Sequence, residues 1–407
     1  MPLPDPQWDA QWDPKTDPTA LKAFVALAGG VAWRKRLADL ESRLQPRSLS
    51  GRAMQQRHAL ELILARLSKP ELLAKAGRAE RRVLAFAREA AELAKSLPEG
   101  PRARLRALVG EGLSGHATLV PLFHLVRTAA LLRARGFHVM FDGLLNGTAH
   151  DLLITRDGAV AEVACETVSA EEGRPLHKGD WAQLVDRVNP ELQTWLAAHP
   201  GRYILKMTLP EGVTDQTRLS ELHARITTML AAEKRQDSSA AAVLKLDPLV
   251  LAGAQAASDP QRALPARLRE VFGVEAHLAV TADPSSGSVL VMAARAGREN
   301  EISLAVKRRA AAASRRFSGQ RPGIVSVFLD DLEAAEWNAL RDTLELEGAI
   351  RRFLTEPEAK LVVAVTCTTR QEFFALGDCA PEGELRFRNP GHPAAKHAGL
   401  EPAISSI

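Results

Sequence analysis

The chain has 407 residues, 46% of them apolar and 25% charged, which suits a globular protein of two or three domains. No run of about 18 apolar residues occurs, so neither a membrane-spanning helix nor a membrane partner is expected. The three cysteines, Cys165, Cys367 and Cys379, are too dispersed for a disulfide framework or a zinc site. With no basic-then-apolar leader at Met-Pro-Leu-Pro-Asp-Pro-Gln-Trp, a reducing cytoplasm is the expected compartment.

The net charge of +4 conceals an asymmetry. Residues 19–137 hold 22 Lys and Arg against 9 Asp and Glu, a net of +13, which leaves −9 for the remainder. A basic region beside an acidic one is the footprint of a surface that meets phosphate. Arginine is also a strong helix former, so the same residues can serve solvated helices.

Residues 1–18, rich in Pro and Asp and carrying Trp8 and Trp12, predict an extended N-terminal arm. Residues 19–115 predict a basic helical region, either a separate bundle or a cover for the core that begins near residue 116. Pro70 is placed to open one helix, Pro98-Glu-Gly-Pro101 interrupts the run, and Gly110, Gly112 and Gly115 form a joint. From Pro121 to Arg135, Leu122, Leu125, Val126, Ala129 and Leu132 recur at helical spacing, and Gly136 is a C-cap glycine. Phe137 to Phe141 predicts a strand.

Asp151-Leu-Leu-Ile-Thr and Ala159 to Val168 are two further strands joined by a Gly turn. Along the second, Val160, Glu162, Ala164 and Glu166 share one face. Three carboxylates, Asp151, Glu162 and Glu166, therefore converge near one edge of a sheet. Carboxylates on an apolar strand are costly to bury unless they are paired, protonated or bound to a metal.

A helix, a strand, an Asp-bearing strand and an acidic strand in this order resemble the core of the PD-(D/E)XK nuclease superfamily. The likeness covers residues 120–210, about a quarter of the chain, within a core domain expected over 116–210. Asp151 matches the motif Asp, with His150 in place of the motif Pro. Where many relatives read Glu-Cys-Lys-Thr, this chain reads Ala164-Cys165-Glu166-Thr167, and His124 stands where some relatives carry a helix acid. The resemblance implies a restriction-endonuclease-like mixed sheet. It also implies hydrolysis of nucleic-acid phosphodiester bonds with Mg²⁺ or Mn²⁺ held by Asp151, Glu162 and Glu166. Lys206, on the strand predicted over Tyr203 to Leu209, would supply the missing cation at the phosphate, with Lys178 the other candidate. Many relatives dimerise. The substitutions leave two readings open: a migrated catalytic site, or a silent module that binds nucleic acid or a protein partner.

The helix predicted over Gly179 to Ala198 contains Pro190, which is expected to kink or divide it. Residues 211–407 predict a C-terminal α/β region with helices over Thr217 to Lys234, Pro260 to Phe272, Glu301 to Phe317 and Leu332 to Phe353. Strands are expected at Ala241 to Leu246, His277 to Thr281, Ser288 to Ala294, Gly323 to Leu329 and Lys360 to Thr366. Arg308, Arg315 and Arg316 cluster on the 301–317 helix and suit a phosphate backbone. Asp330-Asp331 is expected to cap the next helix. The fold class expected is mixed α/β: an N-terminal helical region, a nuclease-like sheet and an α/β extension.

Overall fold

The computed structural model describes residues 17–44, 48–213, 215–249, 267–283, 286–369 and 384–406. All but the last two residues of the expected arm, the first part of the 260–272 helix, and Cys379 lie outside them. The fold is mixed α/β. In chain order the strands are β1 (His138–Met140), β2 (Leu152–Arg156), β3 (Ala159–Ser169), β4 (Arg202–Leu209), β5 (Gln236–Ser238) and β6 (Val243–Pro248). Then come β7 (His277–Asp283), β8 (Ser288–Ala296), β9 (Gly323–Asp330), β10 (Val362–Thr369) and β11 (Leu385–Arg388). They form two sheets in two compact units.

Unit one comprises Met1–Leu44, Gln55–Ala170 and Ser303–Ile407. Its sheet runs β1-β2-β3-β9-β10-β11. β1, β2 and β3 form an antiparallel meander, β9 pairs parallel with β3 and β10 parallel with β9, and β11 closes antiparallel. The β2–β3 hairpin turns on Asp157 and Gly158, both at positive φ (48° and 76°). An Asp-Gly pair suits such a tight hairpin because Gly adopts positive φ at no steric cost. Every residue of β9 and β10 is buried, as parallel strands covered on both faces require.

The helix Val120–Ala134 packs on this sheet and ends at Gly136, φ +85°, as its sequence predicts. Phe24, Phe86 and Phe123 form an edge-to-face chain with ring centroids 5.5 and 5.2 Å apart. They share one core with Leu152, Ile154, Ala161, Val163, Ile324 and Phe328. Apart from residues 45–54, the basic helical region thus shares the core of this sheet and is a cover for it, not a separate bundle.

Unit two comprises Gln45–Met54 and Glu171–Ile302. Its sheet runs β5-β6-β4-β8-β7, with β4 and β8 parallel and the other pairs antiparallel. The helices Lys178–Ala198 and Gln216–Ala231 supply Leu184, Val188, Leu192, Leu222 and Ile226 to a core with Leu205, Met207, Leu244 and Met292. Pro190 lies inside the first helix without dividing it.

This partition differs from the boundary expected at residue 210. Tyr203 to Leu209 does not return to the sheet of β3; that neighbour is β9, reached only after the whole of unit two. Burial explains the difference. β4 is interrupted, with Ile204, Leu205, Met207 and Leu209 buried but Lys206 and Thr208 exposed, which fits a strand left partly open on one face. β9 has the continuous apolar character that a central strand needs. The single helix expected from Leu332 to Phe353 is two, Ala334–Asp342 and Glu345–Leu354, separated at Leu344, which adopts φ +58°. Asp331 caps neither; its Oδ2 accepts from Ser169 Oγ at 2.7 Å, and Glu333 occupies the N-cap.

Candidate functional site

Asp151 stands at the start of β2, and Glu162 and Glu166 lie within the paired length of β3. Asp151 directly precedes β2, and its amide donates to Val163 O at 2.9 Å. Strand alternation puts Glu162, Ala164 and Glu166 on the same side of β3. The short helix Asp142–Asn146 closes over this corner because Gly143 has no side chain: a Cβ there would meet His150 O at 2.9 Å.

Arg316, two residues past the Ile302–Ser314 helix, joins two of the three acids. Its Nη2 lies 2.8 Å from Asp151 Oδ2, its Nη1 donates to Glu166 Oε1 at 2.7 Å, and its Nε donates to Ala149 O at 2.7 Å. All three edges of the guanidinium are therefore engaged. Burial alone would weaken the charged form, but Asp151 and then Glu166 hold the Arg316 pKa above its ordinary value. Asp151 Oδ2 also accepts from Cys165 N at 2.7 Å, and Arg309 Nη1 stands 3.8 Å from Glu166 Oε2.

Glu162 is held separately. Its carboxylate is fully buried and accepts from Ser318 N at 2.8 Å and Ser318 Oγ at 2.5 Å. His150 Nδ1 lies 3.7 Å from Glu162, and His150 Nε2 lies 2.8 Å from Asp142 Oδ2. Burial works against the Asp142 carboxylate, but hydrogen bonds from Asn146 and Thr148, with His150 beside them, keep its pKa below the usual value.

The three expected ligands thus share a face but not a centre. Mg²⁺ needs several oxygens at about 2.0–2.1 Å in near-octahedral array. Here the facing oxygens of Asp151 and Glu166 hold N–H donors of Arg316, and both Glu162 oxygens hold Ser318. Among the described residues no group of three or more His, Cys, Asp and Glu is arranged to hold a metal ion. The side chains as they stand do not fit the metal that the resemblance implies.

Lys206 is elsewhere: it belongs to the sheet of unit two, where its Nζ donates to Asp247 Oδ2 at 3.0 Å. The cation beside the carboxylates is Arg316, which the sequence placed on a phosphate-binding patch. Lys178 opens a helix of unit two, and its amide donates to Glu171 Oε2 at 2.8 Å. Arg308 and Arg315 are exposed. Sequence reasoning missed Arg309 and Ser318 as partners of the acids. The signal was Arg316-Phe-Ser318, a cation and a hydroxyl two residues apart directly after the Ile302–Ser314 helix.

His124 is no ligand. It is fully buried, its ring Nε2 lies 2.9 Å from Ser326 O, and burial lowers its pKa from 6.5 to about 4. The folded state therefore keeps His124 neutral where the unfolded chain protonates it. No stability is lost above pH 6.5; it falls as the pH drops from 6.5 toward 4, by about 3 kcal/mol in all. Urea midpoints measured across that range should decline less steeply for His124→Gln than for the parent, and parallel slopes would refute the assignment.

No family model, no curated protein and no solved structure matches this chain. Among the described residues no helix is long and apolar enough to cross a membrane.

Proposed function

We propose that this chain is a nuclease-like module that holds nucleic acid without hydrolysing it. Two observations support the nuclease-like part. An antiparallel meander β1-β2-β3, followed through the Ile302–Ser314 helix by a strand parallel to β3, is the strand order the PD-(D/E)XK resemblance implies. Asp151 at the start of β2 and Glu166 on β3, two of the acids the resemblance implies for such a site, are bridged by one guanidinium.

The observation that carries the silent reading is the guanidinium of Arg316 between those two carboxylates. It fills the place that a cation would take and neutralises the charge that would attract one. An arginine cannot give up its proton at physiological pH and cannot polarise a water as a metal does. What remains is binding. The charge of +13 over residues 19–137 and the exposed Arg308 and Arg315 favour a phosphate backbone as the ligand.

The test is divalent-metal-dependent cleavage of labelled single- and double-stranded DNA and RNA, the parent beside Asp151→Ala. The expected result is no cleavage by either protein, with binding that weakens steeply as salt rises in both. Cleavage with Mg²⁺ or Mn²⁺ that disappears in Asp151→Ala would replace this reading with a migrated hydrolytic site. Loss of all binding, even at low salt, would point to a protein partner instead.

A further inference from the structure

The sheet of unit two presents two unlike faces. One carries Leu205, Met207, Leu244, Leu246, Leu290 and Met292 into the core under the two helices. On the other, Ile204, Val291 and Ala293 are covered by Leu268 and Phe272 of the short helix over 267–272. Among the described residues that cover takes in one part of the face only. In the part beyond it, the register sets Lys206 of β4 directly against Lys245 of β6, with Gln236 of β5 beyond. One step along, Thr208 has Val243 on one side and Arg295 of β8 on the other. Lys206, Lys245, Thr208 and Arg295 are all exposed.

Like charges directly opposite on paired strands, with Cβ atoms about 5 Å apart, work against the sheet. Asp247 relieves Lys206 at 3.0 Å, but both side chains of that pair are more than 40% exposed, so the relief is small. Neighbouring strands lie about 4.8 Å apart, so the cations of β6, β4 and β8 fall within about 10 Å across the sheet. The strand positions on this face hold no aromatic ring on which a base would stack. The chemistry offered is cationic and hydroxylic, which matches phosphate oxygens and not base edges.

We infer that this face of unit two, centred on Lys206, Lys245 and Arg295 with Thr208 between them, docks the phosphodiester backbone of nucleic acid independently of sequence. The inference rests on the nucleic-acid-binding reading above and adds where, and by what chemistry, the backbone is held.

The experiment is fluorescence anisotropy of the full chain with mixed-sequence single-stranded and duplex DNA between about 50 and 200 mM salt. The triple variant Lys206→Gln, Lys245→Gln, Arg295→Gln should bind at least about tenfold more weakly. Its plot of log affinity against log salt should flatten by about 2 to 3 in slope. Arg187→Gln, Arg218→Gln, Lys234→Gln removes as many charges from other surface positions of unit two and should stay within about twofold of the parent. Should the triple variant not fold, Lys245→Gln and Arg295→Gln singly should each lower the slope by about 1. A parent that binds while the triple variant matches it overturns this inference and leaves the proposed function standing. Equal weakening in the control variant also overturns it, since net charge alone would then explain the loss. A parent that binds no nucleic acid overturns both.

Discussion

Replacing Arg36 with methionine is expected to destabilise unit one by about 3–5 kcal/mol, the range for removing one partner of a buried ion pair. Arg36 sits on the helix Gly30–Arg43 with its side chain 1% exposed. Its Nη2 lies 3.3 Å from Glu61 Oε1 and 3.1 Å from His58 Nδ1, and the Glu61 side chain is 0% exposed. Its Nη1 donates to Gly115 O at 2.7 Å, and Nη2 donates to Ala117 O at 2.5 Å. One guanidinium thus ties the Ala59–Leu67 helix to the loop that leads into the Val120–Ala134 helix. Methionine fills much the same space but leaves the Glu61 charge and two carbonyls without it. Adding Glu61→Leu should recover a large part of the loss, because the uncompensated charge disappears with it. Urea midpoints of the parent, the two single variants and the double variant measure this. An Arg36→Met cost below about 1 kcal/mol, typical of an exposed pair, would show that the cluster does not hold the helices together.

Arg36 also shows why the basic N-terminal region was only half legible. Composition identified its excess of arginine, but not how the guanidinium groups are used. Arg102 donates to Ala94 O and Leu97 O, and Arg104 donates to Leu144 O and Leu145 O. These side chains close helix ends from a distance, and sequence spacing carries no sign of that. The helix Val120–Ala134, its terminal glycine and the Asp157-Gly158 hairpin were legible because each is set by local periodicity or local φ. The place of β4 was not. A strand of eight residues fits either sheet by propensity, and only the unbroken burial of β9 against the interrupted burial of β4 decides which one neighbours β3. The acidic face was legible for the same period-two reason, since Glu162 and Glu166 had to share a side. The cation that answers Asp151 and Glu166 was not. Arg316 comes from a segment separated from β3 by all of unit two, and a single sequence holds no record of that return.

Removing that cation should turn a closed ion cluster into a metal site. In Arg316→Ala, the carboxylates of Asp151 and Glu166 lose the guanidinium that now lies 2.8 and 2.7 Å from them. Two acids left facing one another repel, and the variant is expected to be about 1–3 kcal/mol less stable than the parent without metal. The same arrangement offers oxygen ligands to a hard divalent cation, with water completing the shell. At a hundredfold excess over its dissociation constant, Mn²⁺ would return about 2.7 kcal/mol. The urea midpoint of Arg316→Ala should therefore rise with millimolar Mn²⁺, while that of the parent stays fixed. Arg316→Lys keeps a positive charge at the site and should stay unresponsive. Asp151→Asn added to Arg316→Ala should abolish the response, because one of the two anionic ligands is gone. If the parent responds to Mn²⁺ as strongly as Arg316→Ala, the guanidinium is no barrier to metal. The silent reading would then give way to a site in which Arg316 swings aside when the metal binds.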